Sequence, residues 1–131
     1  MKSFFIISVV FLINIHDSFG QQINPKIKEL YADKTEQIAQ NEPDRIKALN
    51  DLLDNRIKII ESPIVGEDKF IKLSSVGLLN KYNPNLKRDV IFDINSFNPL
   101  KYNLNFFSLK TEIYRIDNTD YILTIEPQSI K

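Results

Sequence analysis

The chain has 131 residues, a length that suits one domain with a modest core. Its 17 Lys plus Arg balance its 17 Asp plus Glu, which excludes a long-range field drawing in nucleic acid or anionic lipid. With no Cys, no Trp and 1 His, it excludes disulfides, thiolate chemistry and the usual zinc, haem and iron–sulfur sites.

Residues 1–20 read as a secretory signal peptide. Lys2 gives a positive start, Phe4 to Ile15 is apolar, and Ser18-Phe19-Gly20 supplies small residues before a cut between Gly20 and Gln21. The apolar run is shorter than the roughly 20 residues of a spanning helix, so no integral membrane segment is expected after cleavage. His16 leaves with the leader, and a lipid anchor lacks its cysteine. No asparagine begins an Asn-X-Ser/Thr acceptor, which favours a bacterial envelope address, periplasmic, outer-membrane-associated or extracellular.

Residues 24–61 carry helical signals. Asn24 is placed to cap a first helix that opens at Pro25, where a missing N–H costs nothing. Ile27, Leu30, Tyr31 and Ile38 fall on one face at helical spacing. Asn41-Glu42-Pro43-Asp44 repeats the start signal, and Ile46, Leu49, Leu53, Ile57 and Ile60 form a second stripe that ends at Ser62-Pro63. The two segments pack either as an antiparallel pair or as one helix bent at Pro43. Core packing explains their apolar faces better than a coiled coil, for which too few heptads are present.

Residues 64 to 88 are a transition, with turn signals at Val65-Gly66-Glu67-Asp68 and Asn83-Pro84-Asn85. From Val90 the period becomes two. Val90, Phe92 and Ile94 alternate with polar or outward residues, and Leu100, Tyr102, Leu104 and Phe106 alternate with Lys101, Asn103 and Asn105, predicting strands. Glu112 to Ile116 and Tyr121 to Glu126 predict a hairpin around Asp117-Asn118-Thr119-Asp120. A two-residue loop would set Asp117 against Asp120, so a four-residue loop is expected, with Tyr114 opposite Leu123. Residues 90–127 are therefore mainly β.

Candidate sites are sparse. The cluster Asp117, Asn118, Thr119 and Asp120 offers too few oxygens for calcium and has no glycine bend, so it reads as a structural turn in which Asp117 holds the loop backbone. The carboxylate pairs Glu67-Asp68, Asp89 with Asp93, and Glu112 with Glu126 have no defined cleft and read as solvated faces. No histidine accompanies a serine nucleophile, and three glycines cannot build a phosphate loop. An enzyme is not expected, nor any metal or cofactor. Lys81-Tyr82-Asn83-Pro84-Asn85-Leu86 is echoed by Lys101-Tyr102-Asn103-Leu104-Asn105-Phe106, which offers Tyr82 and Tyr102 as rings for sugar, peptide or partner contacts.

Leu49 to Ile57, Asn80-Lys81-Tyr82-Asn83, and above all Phe97-Asn98-Pro99-Leu100-Lys101-Tyr102 through Phe106-Phe107 to Tyr114-Arg115-Ile116-Asp117-Asn118-Thr119-Asp120-Tyr121-Ile122 resemble a family of short exported proteins in Bacteroidota. The resemblance implies an envelope setting and brings no activity with it. The expected architecture is one α+β domain over residues 21–131, with two N-terminal amphipathic helices packed on a small antiparallel sheet that ends in a C-terminal hairpin. The expected role is a non-enzymatic accessory subunit bound to envelope proteins, with an exposed sheet edge to accept a partner strand. The alternative is a small glycan- or peptide-binding module using exposed aromatics.

Overall fold

The computed structural model describes residues 23–128, so the leader and its cut at Gly20 and Gln21 lie outside the described residues. The helical front is built from three short segments: α1 (Pro25–Tyr31), α2 (Thr35–Asn41) and α3 (Pro43–Asp51), with a 3-10 turn at Ala32–Lys34 between the first two. Asn24 accepts the Lys26 N–H at 2.9 Å and Pro25 opens α1. The break after α1 falls at Ala32, whose φ of 51° lies in the left-handed region. The Thr35 hydroxyl then donates to the Ala32 carbonyl at 2.7 Å, tying the two helices together. Ile27, Leu30, Tyr31, Ile38, Ile46 and Leu49 are all buried, as their helical spacing requires. Among the described residues no helix is long and apolar enough to cross a membrane.

The second helix stops before residue 61. After α3 comes a π turn at Leu52–Arg56, and Ile57–Glu61 is strand β1 rather than helix. Ile57, Ile59 and Ile60 are β-branched, fit a pleated surface well and lose rotamer freedom in a helix. Ile60, at 46% exposed, lies outside the core stripe that a helix would have given it. Arg56 marks the changeover. It is buried, with Nε donating to the Glu126 carbonyl at 3.0 Å and a terminal nitrogen to the Phe106 carbonyl, while its other terminal nitrogen finds no partner among the described residues.

The sheet has four strands in the order β1-β4-β3-β2, with β2 at Ile71–Lys72, β3 at Glu112–Arg115 and β4 at Tyr121–Ile125. It is mixed, not antiparallel throughout. β1 and β3 flank β4 antiparallel, but β2 runs parallel to β3 through Ile71↔Tyr114 and Lys72↔Arg115. A parallel neighbour needs a long crossover, and the chain between β2 and β3 supplies it. The hairpin of β3 and β4 pairs Tyr114 with Leu123, and the Ile116 N–H donates to the Tyr121 carbonyl at 3.1 Å, leaving Asp117 to Asp120 as the loop.

The strands expected over residues 90–106 do not form. Val90 and Ile91 are 97% and 83% exposed, and Pro99–Lys101 is a 3-10 turn. Leu100, Tyr102, Leu104 and Phe106 are nevertheless buried, and Lys101 is buried with them. The alternation arises from tight turns. The Leu104 N–H donates to the Tyr102 carbonyl at 2.8 Å, and the Phe106 N–H to the Leu104 carbonyl at 3.0 Å. Bonds two residues apart define γ-turns, which return every second side chain to the same side without a neighbouring strand. A single bridge, Leu78↔Tyr102, is all that this stretch shares with β structure. These side chains join the helix residues and Tyr114, Leu123 and Ile125 in one core, making the fold α+β.

Candidate functional site

Two carboxylates line one cavity of about 240 Å³. Asp89 lies on the irregular chain before the 3-10 turn, and its grip comes from the last residue of that turn and the residue after it. The Lys101 ammonium donates to its Oδ1 at 3.0 Å and the Tyr102 hydroxyl to its Oδ2 at 2.7 Å. The Asp89 N–H returns a bond to the Tyr102 oxygen at 3.1 Å, and Lys101 also reaches the Lys87 carbonyl at 2.9 Å. Burial, reinforced by the Asp89 carboxylate, pushes the Tyr102 phenol up to about 12, so it remains a proton donor at neutral pH.

Asp117 lines the same cavity from the hairpin loop. Its Oδ1 accepts the Ser74 N–H at 2.8 Å and its Oδ2 the Ser74 hydroxyl at 2.6 Å. The expectation that Asp117 holds its own loop is thus corrected, because the carboxylate reaches a turn 43 residues away. The loop is held instead by Thr119, whose hydroxyl donates to the Ile116 carbonyl at 2.7 Å and accepts the Tyr121 N–H at 3.0 Å. Asn118 takes the left-handed conformation at φ 59°, which asparagine tolerates. The Asp120 carbonyl accepts the Ser62 N–H at 2.6 Å and ties the loop to the end of β1.

Arg88, Phe92 and Asn118 complete the accessible wall. The Arg88 guanidinium stands 5.8 Å from the Tyr102 ring centroid and donates to the Val76 carbonyl. Two cations, Arg88 and Lys101, therefore balance two carboxylates. Among the described residues no group of three or more acidic or histidine side chains could hold a metal ion.

The tyrosines singled out by the Lys-Tyr-Asn echo fall in different surroundings. Tyr102 is 2% exposed and stacks on Phe97 at 5.9 Å, so it is a core ring rather than an exposed platform. Tyr82 is half-buried, meets Tyr31 edge-on at 5.1 Å and has the Lys81 ammonium 5.3 Å above it. Carboxylates of the sequence pairs bond elsewhere in the fold. Asp93 accepts the Asn95 N–H at 3.0 Å, Glu112 accepts from Asn105 at 3.3 Å and Glu126 from Thr111 at 3.1 Å. Asp68 is bound by buried Arg115 at 2.8 Å, whose guanidinium hydrogen bond holds its carboxyl below the usual carboxylate range. The linkage of Asp89 to Lys101 and Tyr102 has no spacing signature, since the chain between them is irregular.

A second surface is the outer edge of β1. The Ser62 N–H bonds to the Asp120 carbonyl and the Glu126 N–H to the Arg56 carbonyl, which sets the alternation along the strand. Lys58 and Ile60 therefore turn their backbone groups toward β4, and Ile59 and Glu61 turn theirs away. Among the described residues the Ile59 and Glu61 backbone groups meet no partner. Compared with protein-family models, with curated proteins and with solved structures, the chain matches none.

Proposed function

We propose that the protein is a non-enzymatic, exported accessory subunit that holds an envelope partner by accepting one of its strands on β1. The observation that carries this reading is the open edge at Ile59 and Glu61, which offers two N–H donors and two carbonyls in strand geometry. The flanking exposed Lys58 and Ile60 supply side-chain contacts of both kinds. The leader with its cut at Gly20 and Gln21, and the resemblance to short exported proteins of Bacteroidota, support the envelope setting.

Crosslinked affinity purification from intact cells, with the tag at the C-terminus, tests it. The wild-type chain should recover an envelope protein, and Ile59→Pro should lose it. Proline there removes an outward N–H and leaves the ladder to β4 intact. Leu109→Ser, which alters an exposed residue elsewhere, should retain the partner. Recovery of free monomer alone, or undiminished recovery with Ile59→Pro, would sink the reading.

A further inference from the structure

We propose that the cavity between Asp89 and Asp117 is a binding site for a single neutral sugar ring. Its volume of about 240 Å³ sits below the range of drug-sized pockets and matches one small ring. Charge selects neutrality. Asp89 is already paired with Lys101, and Arg88 lines the same cavity as Asp117, so an entering cation meets a fixed guanidinium and an entering anion faces two carboxylates.

The carboxylates are prepared for hydroxyl donors. Each oxygen of Asp89 and of Asp117 takes one hydrogen bond from the protein, which fixes its plane and leaves a lone pair for a further donor. Charge-assisted bonds from O–H to carboxylate are short and directional, and vicinal hydroxyls on a ring present such donors in pairs. Asn118 adds an amide that both gives and receives, while Arg88 gives only. Phe92, braced edge-on against Phe97 at 5.4 Å, supplies an apolar wall for the C–H face of a ring. None of the residues lining the cavity belongs to β1, so Ile59→Pro alters no side chain of the site.

The test is a resonance titration of residues 21–131 with probes of one ring size and three charges: methyl glucoside with methyl N-acetylglucosaminide, glucosamine, and glucuronate. A neutral glycoside should shift Phe92, Tyr102 and Asn118 saturably and bind about tenfold tighter than the charged rings. Asn118→Gly, which tolerates the positive φ, should weaken it about fivefold without lowering the thermal midpoint. Asp89→Asn serves as a second variant and should weaken binding while leaving the far-ultraviolet dichroism unchanged. Absence of saturation by either neutral glycoside, equal binding of a charged ring, or full affinity in both variants would overturn the proposal.

Discussion

The β3–β4 hairpin and the stretch from Val76 to Thr111 both feed the core, yet they are held in different ways. The hairpin buries Tyr114, Leu123 and Ile125 through a backbone ladder, so its stability is shared among many equivalent bonds. The irregular stretch buries Phe97, Leu100, Tyr102 and Leu104 with almost no ladder. Its backbone groups are satisfied by separate local turn bonds and by individual side chains. Buried Asn98 accepts the Leu100 N–H at 3.0 Å and donates to the Lys26 carbonyl and the Glu29 carboxylate, each at 2.9 Å. Sheet tolerates the loss of a polar side chain; an irregular core segment does not.

That contrast is open to measurement by chemical denaturation. Asn98→Ala should cost most, about 3 kcal/mol, because it strands the buried Leu100 N–H and removes the ties to Lys26 and Glu29. A loss as small as a loop substitution in the hairpin would break the comparison. Asp89→Ala comes next at about 2 kcal/mol, since the Lys101 ammonium loses its counter-ion and the Tyr102 hydroxyl its acceptor.

The same residue pair gives a pH signature. The folded phenol titrates near 12, above its ordinary value of about 10, so Tyr102 contributes stability that is complete below pH 10 and lost as pH rises through about 12. Phenolate absorbance should find one tyrosine ionising late in the wild type, and ionising at lower pH in Asp89→Ala. In the hairpin, Thr119→Val should cost only about 1 kcal/mol, as one hydroxyl serves two part-buried turn groups. Asn118→Gly should lie within about 0.5 kcal/mol of wild type, because both residues accept the left-handed conformation. A larger loss at either position would show that the loop carries more than local turn geometry.

These regions also differ in how far the residues announce them. Asn24-Pro25 states a helix start in local chemistry, and the facing charges of Asp117 and Asp120 select the loop length that sets Tyr114 opposite Leu123. β1 is hidden in the sequence because Ile57 and Ile60 satisfy a helical stripe as well as a strand, and the choice is made by β4, far along the chain. β2 is only Ile71–Lys72, too short to produce a pattern. The period of two over Leu100 to Phe106 reports burial correctly and conformation wrongly, since γ-turns share that period with strands. The cavity leaves no sequence pattern for a related reason: Asp89, Lys101, Ser74 and Asp117 meet only after irregular chain has folded.

Pairing of β1 with β4 has a consequence for the order of events. The β3–β4 hairpin is closed by a short loop and can form on the microsecond scale. β1 must instead wait for a partner that leaves the ribosome much later, and Arg56 waits with it for the Glu126 carbonyl 70 residues on. A chain interrupted anywhere before β4 holds an isoleucine-rich strand with both edges bare and a guanidinium without its Glu126 acceptor. Such a chain is a natural client for a chaperone, and its release should coincide with the arrival of the last strand.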